Sequence, residues 1–418
     1  MTEKLLQFIW QHQHYAMNDL QTTCGLTVQI IDPGKINYHQ GPDFSEAILK
    51  IGEQVWAGNI EIHVLATQWN EHGHSGDEKY MNVILHVVWR EDEKLQLPFP
   101  AVELHSRVSR ILLSKYERLM QSPQFIACQD NIGDVPELTI ECWKQRLLAE
   151  RLQSKADHII NLLQQNKYHW EETFWWLLAS GFGMKVNSDS FLKIAQSIPF
   201  NLLIKHKFQL QQLEALLLGQ AGILDTLFEE SYPTMLSKEY QYLKKKYGLG
   251  KIHYPLYYLR MRPANFPTIR LAQLAALIHK SDHFFSFCLE AQSCEQIIKV
   301  LEVQANDYWH YHYLPDVPVD FKIKHLGKDM ISNILINTII PAVYAYGIHQ
   351  NRISLTQKAI QWLEFLPAEN NTIIRQFNAV NVGSRTSGDS QALIQLKNEY
   401  CNHKRCLECA VGYKLLNP

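Results

Sequence analysis

The spacing of apolar residues changes once along this 418-residue chain, and that change constrains the fold more than any other feature. In residues 1–120, apolar side chains recur at every second position within short segments, which is typical of half-buried β-strands. From about residue 137 they recur every three to four positions, which is typical of helices that bury one face. The sequence therefore predicts an α+β protein, with an N-terminal α/β mixed sheet followed by mostly α-helical structure.

The individual elements follow from these two periods. A short amphipathic helix is expected at residues 2–15, before strands at 26–31, 45–51, 54–64, 82–89 and 100–104. Helices are expected at 106–120, 138–166, 171–183, 188–198 and 209–224, and further helices continue from 260–281 through 329–347 and 352–367. Ser106 and Ser188 stand at the starts of two of these helices and are their expected N-caps.

Length bears on domain organisation, because single hydrophobic cores stop growing beyond roughly 250–300 residues. A polar, turn-rich segment at residues 127–138 marks the expected boundary after the sheet. We expect three domains: an α/β domain at 1–130, a helical domain at 131–255, and a helical domain at 256–418 that ends in a cysteine-rich tail.

Composition narrows the class of protein. Apolar residues make up 46% of the chain, which is typical of a folded globular protein. The 40 basic and 42 acidic residues nearly cancel, so no overall positive field indicates nucleic-acid binding, although this balance does not exclude a local patch. The N-terminus lacks signal-peptide features, and no run of about 18 apolar residues occurs, so we expect a cytoplasmic protein without a membrane span.

Acidic residues and histidines crowd two of the predicted strands. Alternate side chains of a strand share a face, so Glu61 and His63 lie together, while Trp56 and Ile60 face a core. The stretch KIGEQV allows the preceding strand to turn back and bring Asp43 beside Glu61, so that two carboxylates converge. The alternative is that Asp43 lies in an ordinary turn, and that Glu61 and His63 form the wet face of a half-exposed sheet.

This arrangement resembles the PD-(D/E)xK nucleases over roughly the first 120 residues, including a leading helix that carries Glu3. Pro42-Asp43 matches the first part of that family's pattern, and Glu61-Ile62-His63 matches the second part with His in place of Lys. The resemblance implies that Asp43 and Glu61 bind Mg²⁺ or Mn²⁺, that the third residue orients or activates the attacking water, and that DNA or RNA is the partner. Oxygen ligands suit Mg²⁺, and a neutral imidazole can serve as a base or as a metal ligand.

A second group of metal-binding residue types follows in the next loop. His72 and His74 flank a glycine and Asp77 lies close behind them, and imidazole with carboxylate suits Zn²⁺, Mn²⁺ or Fe²⁺. A site of His63, His72, His74 and Asp77 would make a metal-dependent hydrolase of another kind. The alternative is an ordinary polar loop, and His86 in the next strand is expected to be a buried, hydrogen-bonded histidine.

The chain has eight cysteines, and five of them are scattered in the way typical of buried thiols in a reducing compartment. The last three form the pattern Cys401-x4-Cys406-x2-Cys409, whose spacing suits a zinc or an iron–sulfur site. The fourth ligand would be His403 or a distant cysteine, for which Cys128 is preferred because it lies in a polar segment. Some PD-(D/E)xK nucleases are similar in holding an iron–sulfur cluster with one cysteine far from three others. The alternative is three reduced thiols without a metal.

Three basic segments are candidates for contacts with phosphate. Arg262 and Arg270 flank two prolines, and a guanidinium presents a rigid fork of donors to phosphate. The basic residues at 205–207 and the basic run at 242–251 are candidates for contact with a nucleic-acid backbone. Each has a structural alternative, as a helix cap, a buried ion pair or a solvated helix end.

The chain as a whole resembles a bacterial family of unknown function, numbered 2851. The residues that carry the resemblance are GPDF, GNIEIH, WNEHGH, FGMKVN (182–187), LEALLLGQAG (213–222), RPANFPTIRLAQLA and CNHKRCLECAVG. That family implies no activity, so three hypotheses follow from the sites. They are a metal-dependent nuclease, a non-catalytic nucleic-acid- or protein-binding module with a decayed nuclease core, and a metal hydrolase that uses the histidine loop.

Overall fold

The structure is a computed structural model that describes residues 1–37, 39–250, 254–281 and 283–417. The chain forms two compact units. Unit 1 contains Met1–Lys144, Arg375–Gly383 and Leu393–Pro418. Unit 2 contains Gln145–Ile374 and Ser384–Ala392.

This two-unit division differs from the three domains expected from the sequence. The expected boundary at residue 255 lies within unit 2, and the cysteine-rich tail belongs to unit 1. The physical reason is apolar burial, because Leu416 in the tail is buried in the same hydrophobic core as Leu6 and Trp10 near the N-terminus. Contacts across such a sequence distance leave no periodic signal in the chain.

A six-stranded mixed sheet forms the centre of unit 1. Its strands are β1 (Val28–Asp32), β2 (Lys35–Ile36), β3 (Phe44–Ile51), β4 (Gln54–Leu65), β5 (Val83–Arg90) and β6 (Ala101–Glu103). The strand order is β1-β3-β4-β5-β6, and β2 also pairs with β3. β3 is antiparallel to β1, β2 and β4, whereas β5 is parallel to both β4 and β6.

Helices account for most of the remaining structure, which confirms the predicted α+β class. In chain order they are α1 (Glu3–Gln11), α2 (Gln68–Glu71), α3 (Arg110–Gln121), α4 (Glu137–Gln165), α5 (Trp170–Phe182), α6 (Met184–Ser197), α7 (Phe200–Lys205), α8 (Leu210–Gln220), α9 (Ser231–Tyr247), α10 (Pro267–Lys280), α11 (Phe284–Glu290), α12 (Cys294–Leu301), α13 (Asp307–His310), α14 (Lys328–Ile334), α15 (Ile340–His349), α16 (Ile353–Phe365), α17 (Thr372–Ala379), α18 (Ser387–Gln395) and α19 (Ala410–Leu416). A short hairpin in unit 2 is formed by β7 (His312–Leu314) and β8 (Val317–Pro318).

Both expected N-caps are wrong. α3 begins at Arg110, and Ser109 is its N-cap because the Ser109 hydroxyl accepts a hydrogen bond from the backbone N–H of Ile111. α6 already begins at Met184, so Ser188 lies inside that helix and its hydroxyl contacts Ser180 at 2.7 Å. Neither error changes the number of elements at these positions.

The core of unit 1 includes the contact between α1 and β4. Leu6 and Ile9 of α1 are buried in one cluster with Ile60 and Ile62 of β4, as the alternation in that strand predicts. Trp56 was expected on the same buried face, but it is 38% exposed. The first four residues of β4 are all exposed, so the strand extends beyond the covered part of the sheet at that end.

The helices of unit 2 share a second hydrophobic core. α14 and α15 form one continuous helix, which they join through a turn of π-helix at Leu335–Ile339. The resulting Lys328–His349 segment, with a mean hydropathy of 1.4, is the one helix among the described residues that is long and apolar enough to cross a membrane. Because 67% of its apolar window is buried inside the protein, it is a core helix of unit 2.

Candidate metal centre

The hairpin of β3 and β4 brings Asp43 and Glu61 together. The backbone N–H of Asp43 donates to Glu61 Oε2 at 3.1 Å, and the N–H of Ile62 donates to Asp43 Oδ2 at 3.0 Å. Glu61 is only 5% exposed and Asp43 is half-buried. This burial excludes the alternative in which Glu61 belongs to the wet face of the sheet.

Two irregularities in the strand pairing accompany this geometry. The β3–β4 register shifts within residues 44–47, where Glu46 has a φ of 59°, and the β4–β5 register shifts next to Asn59. Bulges of this kind re-aim side chains and are common beside active sites. A Cβ added to Gly58 would lie 2.5 Å from Cγ2 of Ile84, so glycine is needed where β4 closely approaches the start of β5.

Three histidines complete the site. His63 shares a face of β4 with Glu61, and the loop after β4 carries His72 and His74. The ligand nitrogens of the three rings all lie within 4.8 Å of one another, and His63 Nε2 is 3.1 Å from His72 Nδ1. Glu61 Oε1 lies 3.2 Å from His74 Nε2 and 3.6 Å from His63 Nε2. The carboxylate pair and the histidine loop, which the sequence pattern presents as alternative sites, therefore meet at Glu61.

These distances agree with the spacing of ligands around a single cation. Two nitrogens at about 2.0–2.1 Å from a tetrahedral Zn²⁺ lie roughly 3.3 Å apart. The three distances given above between the facing atoms of Glu61, His63, His72 and His74 are 3.1, 3.2 and 3.6 Å, which lie on either side of that value. Nε2 of His74 is buried and has no hydrogen-bond partner among the described residues, because its approach to Glu61 lacks hydrogen-bond geometry. Such an unsatisfied atom costs about 1–3 kcal/mol, and a cation between His74 and Glu61 would satisfy it.

A fourth histidine supports His63 from behind. His86 in β5 is 1% exposed, and its Nε2 lies 2.9 Å from Nδ1 of His63. This contact fixes the His63 ring and leaves its Nε2 directed at the site, as an outer hydrogen-bond partner does for a metal-binding histidine. The expectation that His86 is a buried, hydrogen-bonded histidine is confirmed.

Burial and crowded charges shift the pKa values in the site. Burial, with the charge of Glu3, raises the pKa of Asp43 to about 7, and burial, with the charge of Asp43, raises the pKa of Glu61 to about 9. Burial and the neighbouring histidines lower the pKa of His63 to about 3, and burial lowers the pKa of His74. The site thus combines the neutral imidazoles of His63 and His74 with two carboxyl groups whose charges repel one another, and a cation would stabilise the ionised carboxylates.

Helix α1 supplies two further polar groups. The side-chain amide of Gln7 donates to Asp43 Oδ1 at 2.9 Å. Glu3 lies one turn earlier on the same helix face, and its charge raises the pKa of Asp43 and Glu61. The nuclease resemblance pointed to Glu3, but Gln7 was missed, although its spacing of four residues from Glu3 was a signal that could have found it.

Asp77, which was expected among the metal ligands, makes a different contact. Its Oδ1 accepts a hydrogen bond from the backbone N–H of Lys79 at 2.9 Å and caps a 3-10 turn at Glu78–Tyr80. The ring of Tyr80 stacks on His74, with centroids 3.9 Å apart. Asp77 therefore shapes the loop that carries His74 and lies outside the group of three histidines.

The four cysteines that were expected to bind a metal lie in one part of unit 1. Cys128 and Cys406 pack against the same hydrophobic core. Burial raises the pKa of Cys128 and of Cys401, and the charges of the other cysteines of the group raise both further. Cys409 is buried and the other three are half-buried. His403, the alternative fourth ligand, is exposed. The fold thus brings the distant Cys128 to the tail.

The three basic candidate segments have different surroundings in the structure. Arg262 and Arg270 line one cavity in unit 2. In the segment 205–207, buried His206 bonds to Gln212 and Tyr247, which is a structural role. The run at 242–251 forms the end of α9, and its last basic residue, Lys251, lies outside the described residues.

Comparison with known proteins identifies the family of the chain. A family model described as Protein of unknown function (DUF2851) matches residues 3–372. The chain belongs to this family. The matched part of this DUF2851 protein contains every residue of the candidate metal centre and also Cys128, whereas the three tail cysteines follow it. No curated protein and no solved structure matches the chain.

Proposed function

We propose that this DUF2851 protein is a metal-dependent nuclease whose centre is formed by Asp43, Glu61, His63, His72 and His74. One observation carries the proposal: donor atoms of Glu61 and the three histidines are spaced like the ligands of one cation. Asp43 lies directly beside this set and is held there by the amide of Gln7 and the backbone of β4. The two carboxylates are those that the PD-(D/E)xK resemblance names.

The donor set bears on which metal fits. Mg²⁺ prefers an octahedron of oxygen ligands, several of them water, whereas imidazole suits zinc and iron. Three imidazoles beside two carboxylates therefore favour Mn²⁺, Zn²⁺ or Fe²⁺ over Mg²⁺. A bound cation would neutralise charge on a phosphodiester and promote ionisation of the attacking water.

The side chains have distinct roles in this proposal. Glu61, His63 and His74 are ligands on the buried side, whereas His72 is exposed and marks the side from which a substrate arrives. His63 acts as a ligand rather than a base, because its Nδ1 is already in contact with His86. Asp43 is the group that orients water or takes its proton, because two donors hold its carboxylate beside the ligands.

A basic cavity in unit 2 supports a polyanionic substrate. The cavity of about 820 Å³ is lined by Asp329 and Glu369 and by the basic residues Arg262, Arg270, Lys322, Lys324, His325 and Lys328. The guanidinium of Arg270 donates to the side chains of Asn265 and Gln273, and Lys324 donates to backbone carbonyls. These partners are neutral, so the two cations retain their attraction for phosphate. We therefore propose DNA or RNA as the partner and the cytoplasm as the location.

The first test is cleavage by the full-length protein after its metal has been removed with a chelator. The protein is reloaded separately with Mn²⁺, Zn²⁺, Fe²⁺ or Mg²⁺ and mixed with labelled single- and double-stranded DNA and RNA. We expect cleavage with at least one of the first three ions. Glu61→Gln and His74→Ala should each reduce the rate by about 100-fold or more, because each removes a donor atom.

Glu46→Gln is the matched control, since Glu46 is an exposed carboxylate on the adjacent strand β3. It should cleave like the wild type. Cleavage that persists unchanged in Glu61→Gln would mean that the activity lies elsewhere, and the assignment would be rejected. Metal binding without cleavage of any nucleic acid would favour the hydrolase of smaller substrates, and nucleic-acid binding without metal binding would favour the decayed, non-catalytic core.

The role of the cavity needs a separate measurement. The double variant Arg262→Glu, Lys328→Glu reverses two exposed charges of its lining. We expect weaker nucleic-acid binding and a shallower salt dependence, because each lost phosphate contact removes a counterion-release contribution. Lys299→Glu, an exposed position on α12 outside the cavity lining, is the control. If the double variant binds nucleic acid as tightly as the Lys299→Glu control does, the cavity is excluded as the phosphate-binding surface.

A further inference from the structure

Four of the eight cysteines, which the proposed nuclease does not use, gather in unit 1. Cys128 lies in the segment after α3, and Cys401 ends a π-turn that follows α18. Cys406 begins a 3-10 turn and Cys409 is the N-cap residue of α19. Cys128 and Cys406 pack against the same hydrophobic core, so the fold brings one cysteine from the first third of the chain to the part that holds the three cysteines of its last eighteen residues.

The backbone around Cys409 is arranged for a sulfur ligand. The backbone N–H groups of Val411 and Gly412 donate hydrogen bonds to the Cys409 sulfur. Hydrogen bonds of this kind tune thiolates that bind a metal. A Cβ on Gly412 would collide with the carbonyl oxygen of Cys406, so glycine is needed for the close turn between the two cysteines.

Two lysines hold the tail beside Cys128 and place positive charge near the sulfurs. Lys397 donates to the carbonyl of Phe125, and Lys404 donates to the carbonyl of Met120, so both bonds anchor the tail just ahead of Cys128. The charge of Lys397 acts on Cys401 and that of Lys404 acts on Cys406. Four thiolates around a divalent cation carry a net charge of about −2, which such lysines offset.

We propose that Cys128, Cys401, Cys406 and Cys409 ligate one thiophilic metal centre, either Zn²⁺ or an iron–sulfur cluster. The four thiols release their protons to solvent as the metal binds. The centre joins the tail to the segment after α3 and so fixes the C-terminal end of unit 1. It is a structural site and does not depend on the nuclease assignment.

The test is metal analysis of the full-length protein purified without oxygen. It is carried out in the Glu61→Gln, His74→Ala background, so that metal at the histidine centre does not enter the count. We expect about one zinc per chain without sulfide, or iron with an equal amount of acid-labile sulfide and a visible charge-transfer band. The first result identifies a mononuclear site and the second identifies a cluster.

Single substitutions assign the ligands. Cys128→Ser and Cys409→Ser should each lower the metal content by about tenfold or more. Cys142→Ser is the matched control, because Cys142 is an exposed cysteine of the same unit. It should retain the metal content of its parent.

Three results would overturn the proposal. They are a parent protein with neither zinc nor iron even after reconstitution, a Cys128→Ser protein with undiminished metal, and a disulfide between any two of the four cysteines in the anaerobic protein. The first and third need no variant, so a cysteine variant that fails to fold does not prevent a decision. Nucleic-acid cleavage is not measured, so failure here is independent of failure of the nuclease.

Discussion

Glu61 in unit 1 and Glu214 in unit 2 are both buried carboxyl groups, yet their surroundings give them different roles. Burial raises the pKa of both, to about 9 for Glu61 and to about 7 for Glu214. Glu214 Oε2 accepts hydrogen bonds from the hydroxyl of Tyr232 at 2.8 Å and from the indole of Trp309 at 3.1 Å. Glu61 instead faces imidazole nitrogens and lies beside a second carboxylate.

A buried acid with a raised pKa therefore does not by itself indicate a functional site. Glu214 has hydrogen-bond donors on Oε2, whereas its Oε1 is buried without a partner among the described residues, which suits a neutral carboxyl group. Glu61 Oε2 accepts a hydrogen bond from the N–H of Asp43, but Oε1 faces the ring nitrogens of His63 and His74, and buried acceptor atoms that face one another call for a cation. The balance of donors and acceptors, rather than the pKa shift, separates the two environments.

The largest expected effect tests this distinction directly. Glu61→Gln should weaken Mn²⁺ or Zn²⁺ binding by about 100-fold or more, because a neutral amide replaces an anionic ligand. Glu214→Gln should leave the affinity unchanged. Isothermal titration calorimetry of the metal-free full-length proteins measures both. Equal affinities in the two variants would remove the distinction between the two acids.

The second expected effect is the contribution of the Glu214 carboxyl group to the pH dependence of folding stability. Its pKa is raised from 4.5 to about 7 by burial, so folding favours its neutral form. This contribution to stability is fully present below the unfolded pKa and is lost as the pH rises through the folded value. Relative to its value at low pH, the group costs up to about 3 kcal/mol above pH 7, from a shift of about 2.5 units.

Glu214→Gln should therefore remove that part of the pH dependence, because an amide does not titrate but still accepts hydrogen bonds from Tyr232 and Trp309. Urea unfolding of both proteins at about pH 4.5 and pH 8, followed by far-ultraviolet circular dichroism, gives the difference in pH slope. Other titrating groups are common to both proteins and cancel in that difference. A variant with the same slope as the wild type would show that Glu214 is ionised in the folded protein.

Much of the fold follows from the sequence, because periodicity is a local property. The strand predicted at 54–64 is β4 at Gln54–Leu65, and the helix predicted at 138–166 is α4 at Glu137–Gln165. The helix starts were less accurate, because a serine three residues from the true cap also satisfies the local pattern at α3. Assignment of the tail to unit 1 was out of reach, because it depends on a contact between residues separated by nearly the whole chain.

The metal centre was predictable in its residue types but not in its grouping. Strand alternation places Glu61 and His63 on one face, and the turn before β4 returns Asp43 to them. The conformation of the loop after β4 decides whether His72 and His74 reach the same point, and loops carry no periodic signal. That is why the sequence left two alternative sites where the structure has one.

The third expected effect concerns the contact between His86 and Nδ1 of His63, which orients the His63 ring. His86→Asn shortens the side chain that contacts Nδ1 of His63 and should weaken metal binding by about 10- to 100-fold. The expected loss is smaller than for Glu61→Gln because every ligand atom is retained. His105→Asn, at a histidine that contacts Arg90 instead, is the control. An unchanged affinity in His86→Asn would mean that His63 is oriented by its packing alone.

The smallest expected effect concerns Asp77 and decides between the loop seen here and the ligand role suggested by the sequence. Asn caps a turn about as well as Asp, so Asp77→Asn should preserve the hydrogen bond to Lys79 and the stacking of Tyr80 on His74. Only the nearby charge is lost, which should change metal affinity by about threefold or less.

Asp77→Ala sharpens the same test, because it removes the cap as well as the charge. Loss of the cap should cost about 1 kcal/mol of local stability and weaken metal binding only as far as the loop with His74 loosens. Affinity should therefore fall more in Asp77→Ala than in Asp77→Asn, since only the alanine releases the loop. Equal and large losses in both variants would make Asp77 a ligand. Metal binding would then have to turn its carboxylate away from the Lys79 backbone, and the fourth ligand position would pass from Glu61 to the loop.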